Sequence, residues 1–222
     1  MQVLDAILQR KSVRAFLPQS VPMQALRQAL EHAARAPSNG NMQPWRVIVA
    51  SGERLALLKQ KTAERIATSR EWDEPEYEVY PRPLPQPYLG LRNQIGEDLY
   101  QLIGIAREDK AGRWGQFARN GQLFDAPVGI FCFIDRRLGY AQWLDTGMFL
   151  QNLMLLLEDQ GLATCPQGYW SFYHKTVAEC LQPDEEWMLV CGLAVGYEDR
   201  EALINELKSP RQPLQDFVRF ES

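Results

Sequence analysis

The sequence is poor in residues that bind metals or act as nucleophiles. It has two histidines and four cysteines, and no two cysteines have CxxC spacing. Zinc sites need clustered ligands of these types, and a catalytic cysteine needs an activating base, commonly a histidine, so we expect neither a metal site nor a catalytic cysteine. The cysteines are predicted to be reduced core thiols of a cytoplasmic protein. They are Cys132, Cys165, Cys180 and Cys191.

Signatures of several protein classes are also missing. No GxGxxG follows a strand, and no P-loop, GxSxG elbow or HExxH is present. No apolar run is long enough to cross a membrane, and the N-terminus does not have the pattern of a signal peptide. The net charge of −4 is spread without blocks of one sign, which disfavours nucleic-acid binding. If the chain catalyses a reaction, we expect a cofactor to carry the chemistry.

Hydrophobic periodicity predicts helices separated by a few buried strands. This order is typical of an α+β sandwich with helices on a central sheet, and no linker divides the chain, so we predict a single domain over 1–222. The last predicted helix is apolar almost all round, which indicates either the domain centre or a dimer interface. The predicted helices are 3–10, 20–36, 52–69, 92–107, 109–121 and 141–160, and the predicted strands are 45–51, 127–135, 163–168 and 187–199.

Residues 71–91 differ in composition from the rest of the chain. Their prolines exclude a regular helix, and a structureless loop of this length usually serves a function. We predict a functional arm or lid, with an ordered wrap over the surface as the alternative. The tail, 200–222, has enough apolar residues to dock on another surface. The prolines of the arm are Pro75, Pro81, Pro83, Pro85 and Pro87.

Two arginines and a serine alternate in RKSVRAF, which begins at Arg10. Arg10, Ser12 and Arg14 would share one face of a strand, and the two arginines would share one face of a helix. In either case two guanidinium groups and a hydroxyl converge, a donor set that suits a phosphate. The alternative is a solvated basic end of the first helix, where positive charge is favourable.

The sequence PSNGNMQPW, from Pro37 to Trp45, is rich in side-chain amides. With a serine hydroxyl they supply the mixture of donors and acceptors that a planar heterocycle requires. The prolines stiffen the segment and reduce the entropy lost on binding. A plain turn explains Asn39-Gly40 but not the end of the segment. The polar residues are Ser38, Asn39, Asn41 and Gln43.

Two further places are weaker when taken alone. In CPQGYW, Pro166 and Gly168 flank Gln167, and a glycine lets a ligand approach the backbone closely. A tight turn is the alternative there. In SPRQPL, Arg211 lies between two prolines and could supply a third positive charge for a phosphate, with Lys208 as the competing candidate.

Taken together, these motifs resemble the nitroreductase family of FMN-dependent oxidoreductases. The resemblance extends over nearly the whole chain in the family's order, and the combination of RxSxR with PSxxNxQPW is specific. It is weaker in the arm 71–91 and in 109–124, which we interpret as elaborations around a pocket. The matching sequences are RKSVRAF at 10–16, APSNGNMQPW at 36–45, CPQGYW at 165–170, GLAVGYED at 192–199 and PRQPLQDFV at 210–218.

The resemblance implies a three-layer α+β sandwich, in which helices flank a central mixed or antiparallel sheet. It also implies a homodimer with FMN at its interface, contacted by both chains. Arg10 and Ser12 would hold the phosphate and ribityl end of FMN. Arg14 would lie near the flavin N1–O2 edge, and Asn41 would contact the N3–O4 edge. The other implied contacts come from Lys11, Gln43, Pro166, the backbone N–H groups of Gln167 and Gly168 near N5 and O4, Arg211 at the phosphate, and Pro37, Ser38 and Asn39 of the partner chain.

The implied reaction is reduction of a nitroaromatic or quinone-like acceptor by NADPH or NADH, in a ping-pong sequence through flavin N5. No side chain has to act as an acid or a base. Other flavin chemistry on the same fold, such as flavin fragmentation or reductive dehalogenation, is one alternative, and FMN storage or sensing is another. We predict aromatic walls for the acceptor pocket, although each residue could equally belong to the core: Tyr80, Trp114, Phe117 and Phe124.

Overall fold

The structure, a computed structural model, describes residues 1–69 and 71–221. Seven α-helices and four β-strands occur in these residues. The helices are α1 (Val3–Gln9), α2 (Met23–Ala33), α3 (Gly52–Thr68), α4 (Tyr88–Leu102), α5 (Lys110–Ala118), α6 (Tyr140–Asp159) and α7 (His174–Leu181). The strands are β1 (Arg46–Ser51), β2 (Val128–Asp135), β3 (Ala163–Gln167) and β4 (Trp187–Gly196). Short 3₁₀ turns span Asn39–Asn41, Arg119–Asp125, Gly168–Tyr173, Leu203–Glu206 and Leu214–Asp216.

The four strands form one antiparallel sheet in the order β1-β2-β4-β3. Strand β2 lies inside the sheet and is buried along almost its whole length, which explains its continuous apolar sequence. Strand β3 lies at one edge. The segment that follows α1 is laid beside this edge through a parallel bridge between Ser12 and Thr164.

Helices cover both faces of the sheet. Successive side chains of a strand point to opposite faces. Ile130 of β2 therefore joins the cluster that contains Leu26 of α2 and Leu153 of α6. Its neighbour Phe131 joins the cluster that contains Leu58 of α3 and the residues of α7. The predicted α+β three-layer sandwich is confirmed.

Several element boundaries differ from the prediction. Helix α4 begins at Tyr88, so the end of the predicted arm is helical, and it ends at Leu102 rather than at 107. The predicted helix 109–121 is an α-helix only as far as Ala118 and then becomes a 3₁₀ turn. The positive φ angles of Leu123 and Phe124, 51° and 53°, exclude any helical continuation. Helix α7 was not predicted.

Part of the apolar surface of this chain is exposed. Phe149 and Leu153 of α6 are buried, but Leu144 is 69% exposed, which disfavours the domain centre for α6, while the dimer interface stays a prediction. The tail exposes apolar side chains instead of docking them on its own chain, and its last residue, Ser222, lies outside the described residues. The exposed apolar residues of α1 and the tail are Val3, Leu4, Ile7, Leu8, Leu214, Phe217 and Phe220. Among the described residues, no helix has the length and apolar character needed to cross a bilayer.

Candidate cofactor and acceptor site

A groove of about 1160 Å³ lies between the end of α1 and the tail. Residues from both ends of the chain line it: Arg10, Lys11 and Ser12 from one, and Lys208 and Arg211 from the other. The structure thus brings the predicted phosphate residues together, and both competing tail cations reach the same place. Clustered cations beside a hydroxyl suit a phosphate.

One of the five cations that line this groove, Arg10, Lys11, Arg200, Lys208 and Arg211, is already neutralised. Lys11 Nζ lies 2.6 Å from Glu198 Oε1 and donates to the Asn205 carbonyl at 2.6 Å. The other four form no ion pair with any residue of 1–69 and 71–221. These four are therefore the charges available to an anion, whereas Lys11 fixes its own segment to the tail.

Two buried polar atoms belong to the segment that follows α1 and to strand β3, whose line of contact is called the seam. Arg10 Nε and Thr164 Oγ1 are buried and have no hydrogen-bond partner in the part of the chain that the structure describes. The seam itself is closed by the N–H of Val13, which donates to the Thr164 carbonyl at 2.9 Å. Buried polar groups are almost always hydrogen-bonded, so each such exception calls for an explanation. A ligand with several oxygen atoms, as in the ribityl phosphate of FMN, fits this seam.

Asn205 holds the segment that carries the arginines. Its side chain is 3% exposed, and its Oδ1 accepts from the backbone N–H of Arg14 at 2.7 Å. Its Nδ2 donates to the carbonyls of Ala15 and Asp199, each at 2.9 Å. Sequence reasoning missed this residue, because the sequence LINE around it matches no motif and two of its partners, Arg14 and Ala15, are distant in the chain.

Arg14 does not line the groove but lies near strand β3. Its Nη1 donates to the Ser12 carbonyl at 3.2 Å. Burial raises the pKa of the Cys165 thiol to about 11, and the charge of Arg14 opposes that rise. The guanidinium is therefore close to the strand that ends at Gln167. The Cys165 thiol is protonated at neutral pH, which argues against a role as a nucleophile.

The loop 37–43 is folded tightly on itself. Three of its residues have positive φ: Gly40 at 59°, Asn41 at 55° and Gln43 at 49°. The N–H of Gln43 donates to Ser38 Oγ at 3.0 Å, and its side-chain amide donates to the Asn41 carbonyl at 3.1 Å. The N–H of Asn39 donates to the buried Asp145 of α6 at 3.1 Å. The loop, from Pro37 onward, does not line the groove of its own chain.

The contacts at the end of this loop explain why its sequence closes with Pro44-Trp45. Pro44 is buried, and Trp45 stacks on Phe149 of α6 with ring centroids 5.0 Å apart and planes 9° apart. Aromatic stacking of this kind adds to the burial energy. The pair therefore anchors the strained loop to the core before β1 begins.

Gln167 and Gly168 present their backbone rather than their side chains. The Gln167 side chain is 3% exposed and turned inward, where Nε2 donates to the carbonyl and Oδ1 of Asn120 at 2.9 and 3.1 Å. At Gly168 an added Cβ would meet nothing within 4 Å, so the space beside it is open. Pro166, before them, is exposed. A ligand can approach the backbone here.

A second cavity, of about 940 Å³, adjoins Gly168. Tyr80 and Phe117 line it, and Trp114 lies behind, its ring centroid 5.6 Å from that of Phe117. The prediction for Phe124 is wrong: its side chain is 2% exposed, because the positive φ turns it into the core. Sequence reasoning missed the other aromatic residues of the wall, for which only the local aromatic enrichment was a signal. They are Trp72, Tyr77, Tyr169 and Phe172.

The arm is fixed to the fold at its first residues. Asp73 is buried and accepts from Arg65 at 2.8 Å and from the Lys175 N–H at 3.0 Å. Burial alone would raise the pKa of Asp73, but these hydrogen bonds hold it below its ordinary value. Burial raises the pKa of Tyr77 to about 12, and its hydroxyl donates to the Val190 carbonyl at 2.5 Å.

Beyond these anchors, the arm forms the outer side of the aromatic cavity. Residues 78–87 are mostly exposed, and Tyr80 projects from them into the cavity lining. The Arg92 guanidinium of α4 lies 4.7 Å from the centroid of the Tyr80 ring. The arm therefore covers the cavity from one side, while the turn 119–125 and Gly168 form the other.

Strand β3 connects the groove with the cavity. Thr164 lies at the seam beside the groove, and Gly168, which follows the strand, lies at the cavity. Four residues of extended chain span roughly 13 Å. The two sites thus suit an elongated ligand with an anionic group at one end and a flat ring at the other.

Within residues 1–69 and 71–221, the remaining reactive side chains indicate no second site. All four cysteines are free, and burial raises the pKa of Cys191 to about 12. Among the described residues no group of three or more histidine, cysteine, aspartate or glutamate side chains could hold a metal ion.

Comparison with known sequences identifies close relatives of known activity. The model of the Nitroreductase family matches residues 7–197. The chloronitrobenzene nitroreductase of Comamonas testosteroni is 36% identical over 216 residues, which cover 97% of this chain and 95% of the relative.

Solved structures show the same fold. The FMN- and NADPH-dependent nitroreductase NfnB of Sphigopyxis sp. strain HMH is 43% identical, with a TM-score of 0.96 and full coverage of both chains. The FMN-dependent nitroreductase NfnB of Mycobacterium smegmatis, solved in complex with NADPH, is 32% identical, with a TM-score of 0.92 and full coverage of both chains. Both similarities extend over the arm, where the sequence motifs were weakest.

Proposed function

The chain belongs to the nitroreductase family, and from that premise we propose that it is an FMN-dependent oxidoreductase. It uses NADPH or NADH to reduce nitroaromatic or quinone-like acceptors. The main support for this function is the arrangement along the edge of β3, which joins a cationic groove to an aromatic cavity. A phosphate at one end and a flat ring at the other are the two features of FMN.

The residues of this chain hold the cofactor rather than perform the chemistry. Arg10, Ser12 and one or both tail cations, Lys208 and Arg211, bind the phosphate, and Arg14 supports the ring edge where negative charge develops on reduction. When bound, FMN supplies a site at N5 that takes a hydride from the nicotinamide and passes it to the acceptor. The space beside Gly168 is open, so the cofactor ring and an acceptor could approach the backbone there.

The functional form that we propose is a homodimer. The apolar residues of α1, Leu144 of α6 and the apolar tail are exposed in the single chain, and exposed apolar patches of this kind mark protein interfaces. The loop 37–43 does not line its own groove, so in this proposal it serves the partner's cofactor, with Asn41 at the ring. Both observations support a cofactor site completed by two chains.

The acceptor class follows from the cavity and from the relatives. Six aromatic residues line the cavity, which favours stacking of a flat acceptor. The relative from Comamonas testosteroni is a chloronitrobenzene nitroreductase, and we propose small nitroaromatic acceptors for this chain as well. The free cysteines favour a reducing compartment such as the cytoplasm.

An anaerobic absorbance experiment tests the proposed function. The purified protein, supplied with FMN, is expected to show flavin bands that bleach on addition of NADPH or NADH and return on addition of nitrobenzene or a quinone. Bands that persist after the nicotinamide is added would favour storage or sensing of FMN. A protein that binds no FMN would refute the proposal.

A further inference from the structure

A buried tryptophan fixes the orientation of the Gln167 amide. Trp170 is fully buried, and its Nε1 donates to Gln167 Oε1 at 3.3 Å. An indole N–H can only donate a hydrogen bond. The oxygen of the Gln167 amide must therefore face Trp170, and its nitrogen must face the opposite side.

The orientation of Gln167 in turn fixes that of Asn120. The Gln167 Nε2 donates to the backbone carbonyl and to Oδ1 of Asn120. With Oδ1 so placed, Asn120 Nδ2 faces the other way and donates to the Phe117 carbonyl at 2.9 Å. An amide nitrogen carries two hydrogens, and the second has no acceptor among residues 1–69 and 71–221.

Asn120 lies at the inner wall of the aromatic cavity. It is half-buried and lines the cavity together with Gly168 and Phe117. The charged residues of the lining all come from the outer side, from the arm and α4: Glu74, Glu78, Arg82 and Arg92. Asn120 is therefore placed beside the backbone that the cofactor ring approaches, where the reducible group of an acceptor has to lie.

We propose that the second N–H of Asn120 donates a hydrogen bond to an oxygen of the acceptor's reducible group, a nitro or quinone oxygen. Trp170 and Gln167 are positioning residues, which keep Asn120 turned so that it presents a donor and not its carbonyl. This assignment rests on the proposed function. It makes Asn120 a determinant of specificity for acceptors that carry an oxygen at the reducible group.

The variant Gln167→Glu is expected to reverse the orientation of the Asn120 amide. A carboxylate can accept from Trp170 with one oxygen, but its other oxygen needs a donor from Asn120. The Asn120 amide then turns Nδ2 toward residue 167 and gives up its bond to the Phe117 carbonyl, so that Oδ1, an acceptor, faces the cavity. The backbone at Gly168, which faces the cofactor, is unchanged. The second variant, Asn120→Ala, removes the donor outright.

Stopped-flow measurement of the two half-reactions tests the proposal. Reoxidation of the reduced enzyme by nitrobenzene is expected to slow about tenfold in Gln167→Glu and in Asn120→Ala, the effect of one lost hydrogen bond. In Asn120→Ala, FMN affinity and the rate of reduction by NADPH should stay within about twofold of wild type. The matched control is Gln122→Glu in the same turn, whose amide donates to the Lys59 carbonyl at 3.0 Å; its reoxidation should be unaffected.

Two results would overturn the assignment. Reoxidation at the wild-type rate in both variants would show that Asn120 makes no contact with the acceptor. A parallel loss of FMN affinity or of reduction by NADPH in Asn120→Ala would assign the Asn120 N–H to the cofactor instead. Wild-type protein that binds FMN but is not reoxidised by any acceptor would refute the proposed function itself, and this inference with it.

Discussion

Replacing Asn205 by alanine should loosen the segment that carries the cofactor arginines. The Asn205 side chain is buried and holds three backbone groups: the N–H of Arg14 and the carbonyls of Ala15 and Asp199. Alanine can replace none of these hydrogen bonds. The segment would keep only its remaining ties, which include the bond from the Val13 N–H to the strand edge.

The size of the effect follows from those three groups. A partly buried polar group that loses its partner costs about 1 kcal/mol, the low end of the usual range, so the three together cost about 3 kcal/mol. With a urea dependence of about 3 kcal/mol per M, the unfolding midpoint should fall by about 1 M. FMN affinity should fall as well, because Arg10 and Arg14 lie on the loosened segment.

Urea unfolding of the FMN-free protein, followed by tryptophan fluorescence, measures the first effect, and FMN titration measures the second. All variants have to be compared at one protein concentration, since association would shift the midpoint. The control is Asn93→Ala on the exposed side of α4, expected to change stability by less than about 0.5 kcal/mol. An Asn205→Ala midpoint equal to that of the control would refute the reasoning.

Three further changes test other parts of the site. Arg211→Ala or Lys208→Ala should weaken FMN binding about tenfold but leave riboflavin binding unchanged in fluorescence titrations; equal losses for the two ligands would contradict the phosphate assignment. Gly192→Ala should lower the free energy of unfolding by about 1–3 kcal/mol, because a Cβ there would lie 2.3 Å from Cδ1 of Trp170; an unchanged melting temperature would show that the ring can move aside. Asp73→Asn should be less stable than wild type at pH 7, because the lowered pKa of Asp73 gives a stabilisation that is complete above the unfolded-state pKa of about 4. That stabilisation falls as the pH drops from there through the lower folded-state pKa, so the difference between the urea midpoints of the two proteins should be smaller at pH 3 than at pH 7; a constant difference would contradict the linkage.

The fold was most predictable where hydrophobic pattern and burial agree. Strand β2 was predicted at 127–135 and is observed at Val128–Asp135, because both of its faces are covered and its sequence is continuously apolar. Helix α4 was predicted four residues late, since the prolines of the arm were interpreted only as helix breakers. Pro87 in fact lies at the N-cap, where a proline is compatible with a helix start.

Helix α7 and the inner wall of the cavity were beyond what local pattern can indicate. The eight residues of α7 are too few for a clear period, and they follow the aromatic sequence GYWSFY, which packs as a 3₁₀ turn. Phe124 is turned inward by a backbone conformation that non-glycine residues rarely adopt. Asn120 and Asn205 act through partners 47 and 191 residues away, a relation that no motif records.

The walls of the aromatic cavity and the residues of the cationic groove occupy different stretches of the chain. The arm, α4, α5 and the turn 119–125 form one continuous insertion between α3 and β2, whereas the groove is built from the N-terminal segment and the tail. The base of this insertion is fastened by Asp73 and Tyr77, and its far end passes directly into β2. Exchanging residues 71–125 between relatives, a range that includes Asn120, should therefore transfer most of the acceptor preference, leaving the cofactor and its redox chemistry with the recipient scaffold.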